Sequence, residues 1–373
     1  MGRVPVLWLY GPPGVGKTSV AWELFSRLGV PAALVDIDQL GICYGPAGRP
    51  PEPASDPGRH RMKARNLDAV VANFGAAGAS CVVVPGVVDS ARGVDVGLLP
   101  RAAVTAVRLR ASPGALRERL ARRGRPTDQA VAALREAEAL DRLPGECVDT
   151  TGLGVAEVAR LVKPFMPAAG GGGVLTGPVP APGEVLLLCG PLAVGKSTVG
   201  WEVYQRSSLA GVHTAFVDLE QIGFCRPAPA DHRLRSANLA ALWRTYHARG
   251  ARRLVVVGHI DGPADVAAYT AALPAATVTV CRLHASAGQL AERIALRTRG
   301  IGATWGLAGD ELTGRPAPAG IHARAAAQAA ALERAGIGDQ RLDTDGRTVA
   351  EVVAAVRWPG PVAAPRWSRA TWR

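Results

Sequence analysis

Lysine is almost missing from this chain. Only Lys17, Lys63, Lys163 and Lys196 occur among 373 residues, and the remaining positive charge is carried by arginine. Aromatic residues make up 5%, and no basic stretch is interleaved with them. That argues against a surface that tracks single-stranded nucleic acid by stacking. Phosphorylated ligands account equally well for the clustered arginines behind the formal net charge of +12, and nucleic acid is not expected as a partner. The six cysteines are scattered with no C-x-x-C pair, which reads as buried thiols in a reducing compartment. Neither a His/Cys cluster with metal-ligand spacing nor a Ser-His-Asp arrangement stands out. No apolar run reaches membrane-spanning length, and the N-terminus enters a strand-like run without a signal peptide. A soluble, cytoplasmic protein is expected.

What is present is one phosphate-binding pattern, twice. GPPGVGKT runs from Gly11 to Thr18 and GPLAVGKS from Gly190 to Ser197, each after an apolar strand-like run, Val4–Tyr10 and Val185–Cys189. In G-x-x-x-x-G-K-[ST] the glycines let backbone N–H groups converge on phosphate oxygens. The lysine reaches the β- and γ-phosphates, the hydroxyl binds Mg²⁺, and the next helix adds its positive end. The expected nucleotide ligands are Gly11, Gly14, Gly16, Lys17, Thr18 and Ser19, and in the second copy Gly190, Gly195, Lys196, Ser197 and Thr198. Two of the four lysines are the loop lysines.

The repeat extends past the loops. VDIDQLGIC (Val35–Cys43) returns as VDLEQIGFC (Val217–Cys225), HRMKARNL (His60–Leu67) as HRLRSANL (His232–Leu239), and LRERLARR (Leu116–Arg123) as LAERIALR (Leu290–Arg297). VVVPGVVD (Val82–Asp89) pairs with VVVGHID (Val255–Asp261), and VDTTG (Val148–Gly152) with LDTDG (Leu342–Gly346). Apolar β-branched runs alternating with helical patterns predict, in each half, a mostly parallel sheet with helices on both faces. The fold class is α/β, with two tandem P-loop NTPase domains. The expected boundaries are residues 1–163 and 184–358, joined by a Gly/Pro-rich linker over 164–183 with flexible glycines, and followed by a poorly ordered tail over 359–373.

The polar islands fall after strands, where ligands of such sheets bind. Asp36 and Asp38, matched by Asp218 and Glu220, are expected to share a strand face and to serve an acceptor hydroxyl or a metal. Arg119 and Arg123, like Arg293 and Arg297, are four apart on a helix and suit a clamp on a transferring phosphoryl group. Arg125, Arg299 and the Gly-rich stretch Gly300–Gly320 extend this region, the last as a mobile lid. His60, Arg61 and Lys63, matched by His232, Arg233 and Arg235, are candidates for an anionic group of the acceptor.

These motifs resemble those of small-molecule P-loop kinases, the adenylate-, shikimate- and gluconate-kinase-like proteins with the chloramphenicol phosphotransferases nearby. The resemblance covers both halves apart from linker and tail. It implies ATP and Mg²⁺ as cofactors and a small-molecule acceptor. It also implies Lys17 and Lys196 at the phosphates, Thr18 and Ser197 on the metal with Asp36 or Asp218 assisting, and Asp38 or Glu220 as base. The lid arginines would clamp the phosphoryl group, and Asp149–Gly152 and Asp343–Gly346 would flank the adenine. The third strand departs from the pattern, ending in Pro-Gly or Gly-His where a carboxylate is usual. A nucleotide-driven switch or ATPase acting on a partner protein is the alternative.

Overall fold

The structure is a computed structural model that describes residues 2–44, 57–124, 126–168, 170–301, 308–310, 312 and 316–358. The first half of the sequence forms β1 (Val4–Tyr10), α1 (Lys17–Arg27), β2 (Ala32–Leu34), β3 (Cys43–Tyr44), α2 (Pro57–Ala76) and β4 (Cys81–Gly86). It continues with β5 (Ala102–Arg110), α3 (Pro113–Arg122), α4 (Thr127–Asp141), β6 (Glu146–Asp149) and α5 (Val155–Val162). The second half forms β7 (Gly183–Cys189), α6 (Lys196–Leu209), β8 (Thr214–Asp218), β9 (Phe224–Arg226), α7 (Arg233–Ala248) and β10 (Arg253–Val257). After these come α8 (Pro263–Ala272), β11 (Ala276–His284), α9 (Ala287–Thr298), α10 (Ile321–Arg334), β12 (Gln340–Asp343) and α11 (Val349–Ala355).

The first sheet has the order β6-β5-β1-β4-β2-β9. Its first five strands are parallel. All seven residues of β1 are buried, as an apolar run at the centre of a parallel sheet requires. Tyr10, the last residue of β1, lies between Gly86 of β4 and Arg108 of β5. The P-loop therefore opens at the carboxyl end of the central strand. The second sheet repeats this arrangement as β12-β11-β7-β10-β8-β3, and its core gathers Leu186, Leu188, Val255, Val257, Leu283 and Ile294.

The sixth strand of each sheet comes from the other half of the sequence, which the repeat does not predict. Ala32–Leu34 of β2 pair antiparallel with Phe224–Arg226 of β9. Cys43 and Tyr44 of β3 pair antiparallel with Ala215 and Thr214 of β8. Without them, β2 and β8 would leave open edges with unpaired backbone groups. The two compact units are accordingly not the contiguous segments expected from the repeat. The first includes Ile222–Ala230, and the second includes residues 42–44.

The 164–183 segment also differs from a free linker. Gly173 lies so close to α2 that a Cβ there would sit 2.0 Å from the Ala72 carbonyl oxygen. The Thr176 N–H donates to the Asn73 side chain at 2.6 Å, and the Ala181 carbonyl accepts from the Trp243 indole at 3.0 Å. Here glycine's missing side chain serves close approach to a helix instead of mobility. Arg125, part of the Gly300–Gly320 stretch and the tail from Pro359 lie outside the described residues.

Candidate functional site

Each P-loop takes its shape from residues in the left-handed region. Gly11, Gly14 and Gly16 have φ of 151°, 84° and 102°, and Gly190, Ala193 and Gly195 have 149°, 63° and 103°. Ala193 thus adopts the glycine conformation of its counterpart. Lys17 and Lys196 open α1 and α6. Lys17 Nζ donates to the carbonyls of Gly11 at 2.7 Å and Pro12 at 3.0 Å, and Lys196 Nζ does the same with Gly190 and Pro191, both at 3.0 Å. An ammonium has three donors, so one remains for a phosphate. Burial lowers the pKa of both lysines, opposed first by Asp38 for Lys17 and by Glu220 for Lys196.

The acidic islands do not form one strand face. β2 ends at Leu34, and Asp36 caps a 3-10 turn over Ile37–Leu40 by accepting the Asp38 N–H at 2.9 Å. Its other oxygen accepts from Thr18 Oγ1 at 3.2 Å. In the second site Asp218 accepts the Glu220 N–H at 3.0 Å and Ser197 Oγ at 3.2 Å. The first carboxylate therefore turns toward the loop hydroxyl, and the second turns toward the next helix. Asp38 pairs with buried Lys63, and Glu220 pairs with Arg235 at 3.1 Å.

These settings divide the pKa values. Burial, then the charge of Asp38, raises Asp36 to about 7, and burial, then Glu220, raises Asp218 to about 6. The protein packed around Asp38 pushes its pKa up, but Lys63 outweighs this and leaves it below the ordinary value.

Arg61 and Arg233 do not join these groups. Both are exposed, and Arg233 binds Asp231 at 3.1 Å. Two residues along a helix is about 200° of rotation, so Lys63 and Arg235 face the site when their neighbours face out. His232 is buried, with Nδ1 2.7 Å from the Tyr269 hydroxyl. It gathers with Asp261 and Asp265, a grouping that only the fold brings about.

The lid-entry arginines separate by role. Arg119 donates to the carbonyl of Val15 at 3.3 Å, to Thr150 Oγ1 at 2.9 Å and to the Thr150 carbonyl at 2.6 Å. Arg293 makes the same three bonds to Val194 and Thr344, each at 2.9 Å. Both tie the P-loop to the late D-T-x-G turn. Arg123, exposed just after α3, and Arg297 act on the loop lysines through their charge, each adding to burial in lowering the pKa of its lysine, and Arg297 pairs with Asp310 at 2.8 Å. Two described residues of the Gly300–Gly320 stretch are tied to the rest of the second unit. Gln221 donates to the Ala308 carbonyl at 3.1 Å, and Leu312 is buried in the core.

Three site residues escaped the sequence reading. Glu136 of α4 is half-buried; burial raises its pKa, opposed by Lys17 and reinforced by Asp38. Gln328 holds the corresponding place on α10 and accepts the N–H of Leu192 in the second P-loop at 2.9 Å. His259 follows β10, and its backbone N–H donates to Glu220 at 3.2 Å. The common spacing of the buried residues Ala133 and Leu140 against Ala325 and Leu332 would have aligned Glu136 with Gln328. A 530 Å³ cavity lined by Glu184, His247, Arg252 and Arg253 lies at the amino ends of β7 and β10, away from this chemistry.

Residues 8–141 match the family model described as an AAA domain. No curated protein matches the sequence. Among solved structures, the chain is similar to the tunicamycin resistance protein of Deinococcus radiodurans, with 25% identity, 43% of this chain and 95% of that chain covered, and a TM-score of 0.33. It is similar also to a sugar kinase from Janibacter sp., with 16% identity, coverage of 44% and 94%, and a TM-score of 0.31. For shikimate kinase from Acinetobacter baumannii the values are 15%, 43% and 91%, and 0.29. No helix among the described residues is long and apolar enough to cross a membrane.

Proposed function

We propose that the chain is a tandem P-loop kinase that transfers the γ-phosphoryl group of ATP to a hydroxyl of a small-molecule acceptor in the cytoplasm. The observation that carries this reading is that both halves build the same set of groups. A loop lysine, a loop hydroxyl bonded to a buried carboxylate, and a second carboxylate paired with a cation appear as Lys17, Thr18–Asp36 and Asp38–Lys63, and again as Lys196, Ser197–Asp218 and Glu220–Arg235. A simple nucleotide clamp has no need of the last pair. Hydroxyl and carboxylate oxygens are the hard donors that suit Mg²⁺. A carboxylate raised toward neutrality by burial is one that a cation would stabilise. Thr18 and Ser197, with Asp36 and Asp218 beside them, would hold the ion, which would supply charge neutralisation at the phosphates.

Phosphoryl transfer depends mainly on positioning and charge stabilisation. Lys17 and Lys196 would bind the transferring group, and Arg123 and Arg297 would stabilise its charge. Arg119 and Arg293 would act through the loop they hold, and Asp38 would accept the acceptor's proton in the first site. The test is ADP release from Mg·ATP with and without a deproteinised metabolite extract, run on the wild type, Lys17→Ala and Lys196→Ala. Extract-dependent turnover lost in one or both variants supports a kinase and identifies the working half.

A second reading, a nucleotide-driven switch acting on a partner protein, draws on one observation. Each acidic turn leads within a few residues into a strand of the other sheet, Asp38 into β3 and Glu220 into β9. Slow ATP turnover indifferent to the extract, with nucleotide binding retained, would favour it over the kinase.

A further inference from the structure

The two sites differ two residues before the acid that follows the third strand of each half. Gly86-Val87-Val88-Asp89 stands against Gly258-His259-Ile260-Asp261, so the first site has a valine where the second has an imidazole. His259 follows the carboxyl end of β10, which lies between β7, with its P-loop, and β8, with its acidic turn. The ring is about a quarter exposed. Its Nε2 is 2.7 Å from Asp261 Oδ1. The Gln328 side chain packs against the same edge of the ring, its amide nitrogen 3.4 Å from Nε2 with no hydrogen bond between the two donors, while its carbonyl oxygen binds the Leu192 N–H of the P-loop. These contacts fix the imidazole beside both the loop and Glu220.

Asp261 also fixes the proton. A carboxylate accepts only, so Nε2 carries the hydrogen and Nδ1 keeps the lone pair, the tautomer logic of an Asp-held histidine base. Glu220 is less free. Its Oε2 accepts from Arg235 at 3.1 Å and its Oε1 accepts the His259 N–H at 3.2 Å. In the first site the described bond to the corresponding Asp38 side chain uses Oδ1 alone, from Lys63.

We propose that His259 is the proton acceptor of the second site, with Asp261 as its positioning residue. This deepens the kinase reading and rests on it. Nδ1 takes the proton of the acceptor hydroxyl as that oxygen bonds to the γ-phosphorus of ATP. The bond from phosphorus to the β,γ-bridging oxygen breaks, and its electron pair leaves with ADP. The second half then differs from the first in its base, and Glu220 serves to position the His259 backbone and Arg235.

The experiment uses the full-length Lys17→Ala chain, in which the second loop alone turns over, with the metabolite extract as the acceptor probe. His259→Ala should lower the extract-dependent kcat by about 10²–10⁴-fold with ATP affinity unchanged, and added imidazole should restore part of the loss. His259→Gln should lose as much without rescue. Asp261→Asn should lose less, and should cost little more when combined with His259→Ala. Turnover of His259→Ala within twofold of its parent would overturn the proposal. So would a loss that imidazole does not relieve, or one matched by a loss of ATP affinity. A Lys17→Ala parent that binds ATP but releases no extract-dependent ADP would overturn the kinase reading of this half, and the base with it, before any His259 variant is compared.

Discussion

Gly14 and Ala193 hold the same place in their loops, at φ of 84° and 63°, and only one of them is suited to it. An alanine in the left-handed region costs about 1 kcal/mol relative to glycine. Ala193→Gly should therefore raise the stability of the second unit by up to about 1 kcal/mol, read as a shift in its denaturation midpoint. An unchanged or lower midpoint would mean that the loop gains nothing from relief at this residue. Asp36 makes a second prediction. Its folded value of about 7 lies above the ordinary 3.8, so the native chain keeps a proton that the unfolded chain gives up. Stability from this group is complete below about pH 4 and is lost as pH climbs through 7. Asparagine imitates the protonated form. Without Mg²⁺ and nucleotide, the Tm of Asp36→Asn should gain on the wild type between pH 5 and pH 8. A difference that stays constant across that range would sink the assignment. The raised value was not legible in the sequence, because it comes from burial in the folded site and then from the charge of Asp38. The carboxylate itself was legible, because its position recurs as Asp218.

The acidic turn shows which parts of an element sequence can foretell. Its composition and its place after the second strand were readable, but its direction was not. Gly86 explains part of that direction. A Cβ there, at φ 143°, would sit 2.1 Å from Ile37 Cγ2, whereas a Cβ on Gly258 would meet the Leu219 side chain at 2.7 Å. A glycine thus ends the third strand in the first half and directly follows it in the second, so that the acidic turn can pack across it. That is a structural reason for a motif that looked like a lost metal ligand. Gly86→Ala should cost the first unit about 3 kcal/mol, combining overpacking with an unfavourable φ. Gly258→Ala should cost about 1–2 kcal/mol, since Leu219 has rotamers to yield into. Equal costs in paired urea titrations would show that the clash at Ile37 is relieved by other movements. Asn66, in the recurring N-L island, holds the same turn by donating to the Leu40 carbonyl at 2.7 Å. Arg119 and Arg293 show the opposite limit. Their spacing suggested a clamp on substrate, yet their fork-shaped donors are taken up by two backbone carbonyls and a threonine, a pairing that only tertiary contact creates.

At the scale of the molecule, two parallel five-stranded sheets were legible from alternating apolar runs and helical patterns. The sixth strand of each was not. GIC and GFC recur as the ends of the acidic islands, and the repeat assigns each to its own half. Pairing across the halves depends on which open edge a short segment meets, a non-local choice that carries no periodic signal. The exchange can be tested by asking which sheet a substitution loosens. Phe224 belongs to the second half of the sequence, but its ring packs edge-on against Trp22 with centroids 5.2 Å apart, and its strand pairs with β2. Phe224→Ala removes that aromatic contact and part of the cover over the edge of β2, at a cost of about 1–2 kcal/mol for a half-buried ring. Because local opening is governed by local contacts, amide hydrogen exchange should speed up at Ala32–Leu34 and stay unchanged at Thr214–Asp218. Faster exchange in β8 with β2 unaffected would show that the strand belongs with its own half of the sequence, and the reciprocal exchange would fall.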